Sequence, residues 1–179
     1  EENRLSSEYT KLMSSAQIEF DGKTLNLSQF GPYLQSPDRD VRKAASEARY
    51  GYLSEHGEAI DTIYDKLVRI RTEIAKTLGF PSFVELGYAR MLRVDYNQSM
   101  VEQYREQIRE TIVPLATELK ERQQRRIGVD HLYYYDEGFA FKSGNATPKG
   151  EESFIIEGGK KMYAEMSPET NEFFNYMLD

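Results

Sequence analysis

The chain contains no cysteine and no tryptophan, and it has only two histidines and six prolines among 179 residues. Without cysteine there are no disulfides and no thiolate metal sites, and a reducing, cytoplasmic setting fits. The two histidines, His56 and His131, stand far apart, and neither belongs to an HExxH. That motif needs His at i and i+4 so that both imidazoles meet one metal from one helix face. No apolar run approaches a membrane span and no signal-peptide pattern is visible, so no membrane partner is expected. Basic residues are outnumbered by acidic ones, 23 to 30, for a net charge of −7. Phosphate backbones need a basic footprint, so nucleic acid is excluded as a general partner.

What is present is helix-forming sequence. A hydrophobic fraction of 39% and a charged fraction of 30% describe a globular chain rich in surface helix. The organising stretch runs from Ser36 to Pro81. Ser36 is a candidate N-cap, with Pro37 at the first helical position and Asp38 and Asp40 where the helix dipole favours negative charge. Lys76, Gly79 and Pro81 form the stop. Val41, Ala44, Ala45, Ala48 and Tyr52 make one stripe, and Ile60, Ile63, Tyr64, Leu67, Ile70 and Ile74 another. Gly51 and Gly57 each cost roughly 1 kcal/mol inside a helix, so a break near 54–57 is expected, giving two helices in series.

Upstream, Leu5, Tyr9, Leu12, Met13 and Ala16 share a helical face. Asp21-Gly22, between Ile18/Phe20 and Leu25/Leu27, is a hairpin signal. Downstream, Ser82–Glu85 and Ser99–Glu102 read as capping boxes. The second opens a stripe of Val101, Tyr104, Ile108, Ile112, Leu115 and Leu119, which Pro114 should kink. Residues 128–149 read as irregular with one short strand, and two helices follow, the last starting at Ser167-Pro168. The expected division is 1–35, an N-terminal helix plus hairpin and connection, and 36–179, a continuous helical segment. The chain opens at Glu1 and closes on the apolar FFNYMLD, so truncation at both ends is expected.

No residue pattern in the sequence points to a catalytic, cofactor-binding or metal-ligating role. His56 and His131 read as surface histidines rather than ligands. Asp136-Glu137 is the acidic pair with most site character, but a solvated turn is the preferred reading. Tyr133, Tyr134 and Tyr135 read as core or interface before they read as a stacking platform. No glycine cluster has the strand-then-helix context of a nucleotide loop, and no serine sits in a nucleophile elbow.

Four segments nevertheless carry a resemblance: SPDRDVRKAASEARYGYLSEH, IAKTLGFPSFVELGYARMLRVDYN, LYYYDEGFAFKSGNATPKG and KKMYAEMSPETNEFFNYMLD. Together they are similar to the oligoendopeptidase F and thimet-oligopeptidase-like zinc metallopeptidases, in particular the branch that is not oligoendopeptidase F itself. The resemblance implies an all-α, elongated multi-helix bundle with one small β-hairpin near its N-terminus, part of a larger zincin-type peptidase whose halves enclose a channel. It implies a parent enzyme that hydrolyses oligopeptides with zinc held by an HExxH helix and a later Glu, none of which has a matching position here. No zinc is therefore expected in this stretch, and catalysis by it alone is not expected either.

The expected function is a helical scaffold and channel wall of a cytoplasmic metalloendopeptidase, acting on oligopeptides with the remaining catalytic half of the same chain. The exposed tail also leads to an expectation of self-association of the isolated piece. The alternative is a self-contained helical protein-interaction module without catalytic activity. A third reading, an enzyme complete in these residues, would use Asp136, Glu137 and the tyrosines, and would lose metal-independent activity in Asp136→Asn. A module should present polar outer faces, whereas a piece should expose apolar surface where its other half packs.

Overall fold

The computed structural model describes residues 1–178, which are helical apart from one hairpin and the connecting loops. It divides into two compact units, residues 1–145 and the segment from Ala146 onward.

In the first unit, α1 (Glu2–Ser14) leads into strands β1 (Ile18–Phe20) and β2 (Lys23–Leu25), paired antiparallel with Ile18 opposite Leu25 and Phe20 opposite Lys23. Both turn residues have positive φ, 52° at Asp21 and 69° at Gly22. That is the geometry a two-residue hairpin loop demands, and it explains Asp-Gly at this point. The hairpin does not stand alone. Phe20 meets Phe30 and Tyr33 at ring-centroid distances of 5.4 and 5.0 Å, and Leu25, Phe30 and Ala45 form a buried cluster with Ile18, Leu34 and Ala48 around it. A short α2 (Gly31–Leu34) thus joins the hairpin to the long helix that follows.

That helix, α3 (Arg39–Glu55), is separated at His56 from α4 (Gly57–Thr77), the expected break. Its start differs from expectation. Asp38 is the N-cap, its carboxylate accepting from the N–H groups of Asp40 (2.9 Å) and Val41 (3.4 Å), while Ser36 instead accepts from the N–H of Asp38. The aspartate supplies a charged acceptor at the positive end of the dipole, which outcompetes a hydroxyl two residues earlier. The buried side of α3 also differs, because it includes Arg42 and Ser46 with Ala45.

At the end of α4, Gly79 takes φ 80°, and Phe80 N–H donates to Ala75 O at 2.9 Å, the left-handed stop foreseen from sequence. Ile63 and Ala75 are buried along α4, which packs against α1 and α5 (Phe83–Arg90), while Tyr64 points outward.

Neither expected capping box forms as such. Ser82 flanks α5 without a side-chain cap bond, and α6 (Gln98–Gln107) is capped by Asn97, whose side chain accepts from Met100 N–H at 3.1 Å. The interruption expected at Pro114 appears as a π-helical turn, Ile108–Ile112, feeding α7 (Val113–Ile127) with the proline in its first turn. A wider turn accommodates a residue that can neither donate to the preceding turn nor fit beneath it. Along α6, this turn and α7, Tyr104, Ile112, Leu115 and Leu119 are exposed.

Residues 128–145 contain no strand; their regular element is the 3-10 turn Tyr134–Asp136. In the second unit, α8 (Glu152–Met166) and α9 (Pro168–Leu178) pack on one another, with Tyr163 stacked on Phe174 at 4.4 Å. Ser167 and Thr170 exchange backbone-to-hydroxyl bonds at 3.1 Å each, a reciprocal cap at the expected start of α9. Among the described residues, no helix is long and apolar enough to cross a membrane.

Candidate functional site

The most heavily bonded constellation joins the first turn of α3 to the 128–145 segment. Arg39 and Arg42 stand three residues apart on α3, so both reach the same side. Opposite them the 3-10 turn presents Asp136, whose own N–H donates to Tyr133 O at 2.8 Å. Asp136 is completely buried and Arg42 nearly so, at 0% and 2% side-chain exposure.

Every acceptor direction of the carboxylate is used. Arg39 donates from Nε to Oδ1 at 3.1 Å and from Nη2 to Oδ2 at 2.8 Å. Arg42 Nη2 donates to Oδ1 at 2.9 Å, and Tyr133 N–H to Oδ2 at 3.1 Å. Burial pushes the Asp136 carboxyl up, but the hydrogen bonds from Arg39, Arg42 and Tyr133 N–H outweigh it, and the group titrates below the usual aspartate value.

The surroundings tie loops to helices. Arg42 Nη1 donates to Ser36 O (2.6 Å) and Pro37 O (3.1 Å), and its guanidinium lies 4.3 Å from the centroid of Phe139. Arg39 donates to His131 O at 2.7 Å. From α7, the buried Gln123 amide donates to the carbonyls of Asp136, Glu137 and Phe139. Asn145 closes the far end, accepting from Ala140 N–H and donating to Gly138 O and Gln35 Oε1. These bonds tie an irregular segment to α3 and α7 through its backbone carbonyls and N–H groups, so the cluster can hold a loop in place.

They also correct the expectation of a solvated turn at Asp136-Glu137: Asp136 is sealed in, and only Glu137 is exposed, 3.5 Å from Lys120. A fully donated, water-free carboxylate has no lone pair with which to take a proton from a substrate, so it does not serve as a general base.

His56 accepts or donates at Nδ1 with Tyr52 O (2.9 Å) and stacks on the Tyr52 ring at 4.1 Å; His131 meets the Tyr133 ring edge-on at 4.5 Å. Among the described residues no group of three His, Asp or Glu side chains is arranged to hold a metal. The described residues therefore do not fit a zinc ion.

Sequence reasoning missed Arg39, Arg42, Gln123 and Asn145. The available signal was a pair of arginines at i and i+3 beginning the apolar stripe of α3, where a charge is retained only against a buried partner. A second feature is an open, mostly apolar groove of about 410 Å³ lined by Arg93, Tyr96, Met100, Val101 and Tyr104.

The model of peptidase family M3 matches residues 32–147, a span that contains both halves of the Asp136 cluster. The chain belongs to this peptidase family. Among solved structures, it is 59% identical to a protein of Bacillus anthracis str. Ames assigned as an oligoendopeptidase F, with a TM-score of 0.90, covering 99% of this chain and 32% of that one. It is 58% identical to PZ peptidase A, solved with an inhibitor, with a TM-score of 0.92 and coverage of 99% and 32%. Oligoendopeptidase F from Enterococcus faecium, at 17% identity and a TM-score of 0.66, shares the fold. No curated protein matches the chain. The chain spans about a third of the length of the M3 relatives it matches.

Proposed function

We propose that the chain is the helical scaffold and channel wall of a zinc-dependent metalloendopeptidase that hydrolyses oligopeptides, with the zinc and its HExxH supplied by the rest of the parent polypeptide. The observation that carries this is identity of 58–59% over 99% of the chain to M3 relatives about three times its length. In this role the Asp136 cluster is a positioning element: it fixes the 128–145 segment against α3 and α7 so that neighbouring walls keep their shape. The cytoplasmic assignment is supported by the absence of cysteine.

The rival, a self-contained interaction module, calls for polar outer faces. In the first unit, Leu92 and Val94 are 81% and 85% exposed and α7 exposes Leu115 and Leu119; in the second, Tyr176 is 80% exposed. These are surfaces of a piece that packs on more protein.

The test is cleavage of quenched oligopeptides by the full-length parent polypeptide. Hydrolysis that stops with a chelator, returns with zinc and spares folded proteins is expected, with no turnover by these 179 residues alone. Chelator-resistant cleavage would overturn the zinc assignment, and turnover by the 179 residues alone would overturn the scaffold role.

A further inference from the structure

Three arginines lie on α3, and two are paired with Asp136 and bonded to the carbonyls of Ser36, Pro37 and His131, although Arg42 Nε is buried without an acceptor. Arg49 follows Arg42 by seven residues, which places it on nearly the same face two turns further on, about 10 Å along the helix. Its surroundings are different. Arg49 Nε, like Arg42 Nε, is out of contact with water and has no hydrogen-bond acceptor, but among the described residues no Asp or Glu forms an ion pair with Arg49, whereas Arg42 has Asp136. A guanidinium stays charged at every physiological pH and brings five donors in a fixed fork. The Nε of Arg49 is closed off by the chain's own atoms, so the terminal Nη groups are the donors that a partner's carboxylate would meet.

The neighbours of Arg49 form a continuous aromatic strip. Its guanidinium sits 6.0 Å from the Tyr50 ring centroid. Tyr50 meets Tyr134 edge-on at 5.7 Å, Tyr134 meets Tyr135 at 5.2 Å, and Tyr135 stacks on Tyr133 at 5.3 Å. Tyr50, Tyr133 and Tyr134 are each about half exposed. Rigid tyrosines beside an arginine are the composition of an interface centre rather than of an ordinary solvated face.

What covers the strip follows from charge and from length. The strip offers donors and a positive charge, so its complement is acidic. The chain spans 32% of the Bacillus anthracis relative, so about two thirds of such a protein lies outside it and is held at high effective concentration by the same backbone. We propose that Arg49, Tyr50 and Tyr134 form the surface on which the remaining polypeptide of the parent peptidase docks, delivering an Asp or Glu carboxylate to Arg49. This rests on the reading that the chain is part of a larger M3 peptidase.

The experiment is nitration of tyrosines in the full-length parent, read by mass spectrometry. Tyr50 and Tyr134 should react about tenfold slower than free tyrosine, at any protein concentration and without added peptide. Arg49→Gln should speed their nitration and lower the melting temperature, and Arg49→Lys should restore part of both. Reaction at the free-tyrosine rate overturns the proposal, as does protection that Arg49→Gln leaves unchanged. Protection that appears only on raising the protein concentration would assign the strip to a second copy, and protection only with an added acidic oligopeptide would assign it to a ligand; both overturn it. If Arg49→Gln does not fold, wild-type nitration and Arg49→Lys decide the matter. Because the readout needs no hydrolysis, a parent that is inactive yet protects Tyr50 leaves the interface standing and removes only the peptidase function.

Discussion

Two places in the first unit solve the same problem, one carboxylate binding two arginines that lie far from it in the chain. At one, Asp136 joins Arg39 and Arg42. At the other, Glu2 in the first turn of α1 takes Arg71 Nε of α4 at 2.8 Å and Arg90 of α5 at 3.0–3.1 Å. The chemistry is shared, but the setting is not. Asp136 has no exposure, whereas Glu2 retains 14% and Arg90 47%. Asp136 also receives a backbone N–H and sits in a turn whose carbonyls are held by Gln123. At the rim, water can replace a lost partner; inside, nothing can. The first site therefore determines whether the 128–145 segment has a single conformation, and the second adjusts how firmly α1 lies on its neighbours.

The comparison breaks most sharply at Asp136. Asp136→Ala leaves Arg42 charged and buried without its counter-ion, and should destabilise the chain by about 3–5 kcal/mol, read from the urea unfolding midpoint. A loss below about 1 kcal/mol would mean the cluster behaves like a surface pair. Replacing Arg42 by Met and Asp136 by Leu together should cost less than Asp136→Ala alone, since both buried charges go and Arg39, a third exposed, can turn to water.

Local signals were legible in the sequence, and the long-range ones were not. The Asp-Gly hairpin, the break before Gly57 and the Gly79 stop each depend on a few consecutive residues whose backbone preferences decide the outcome. So does the resemblance to the peptidase family, which four segments, among them SPDRDVRKAASEARYGYLSEH and LYYYDEGFAFKSGNATPKG, carry together. What those strings do for each other could not be read from periodicity, because Asp136 meets Arg39 and Arg42 across 97 and 94 positions. Treating α3 as an apolar stripe put Val41 and Ala44 inward and overlooked Arg42, since a charge on a buried face is discounted until its partner is known. The same blindness made Asp136 a solvated turn. Caps failed more mildly, at Ser36, Ser82 and Ser99, where a neighbouring Asp38 or Asn97, or no side chain, met the helix N–H groups instead.

A second, smaller effect separates the sites by pH. In the folded chain, bonds from Arg39, Arg42 and Tyr133 N–H hold Asp136 below its usual titration range against the upward push of burial. The folded state therefore binds fewer protons than the unfolded one as pH falls. The stabilisation is complete above the ordinary aspartate range and is lost as pH drops through the lower, folded value. Unfolding midpoints should be flat near neutrality and decline below about pH 4, and Asp136→Ala should flatten much of that decline. An acid limb of equal steepness in wild type and Asp136→Ala would place the titrating group elsewhere.

The smallest expected effect is at Glu2, whose carboxyl is also held low, by hydrogen bonds from Arg90 and then Arg71. Glu2→Gln keeps the shape of the side chain and removes its charge. Both arginines remain able to reach water, so the cost should be ~1 kcal/mol or less. Salt sharpens the contrast, because a rim pair is screened and a dry one is not. Raising ionic strength toward 1 M, where the Debye length is about 3 Å, should erase the difference between Glu2→Gln and wild type while leaving the Asp136→Ala deficit in place. A Glu2→Gln deficit that survives high salt would show that α1 is held by desolvated charge after all, and the two clusters would then differ only in where they sit along the chain.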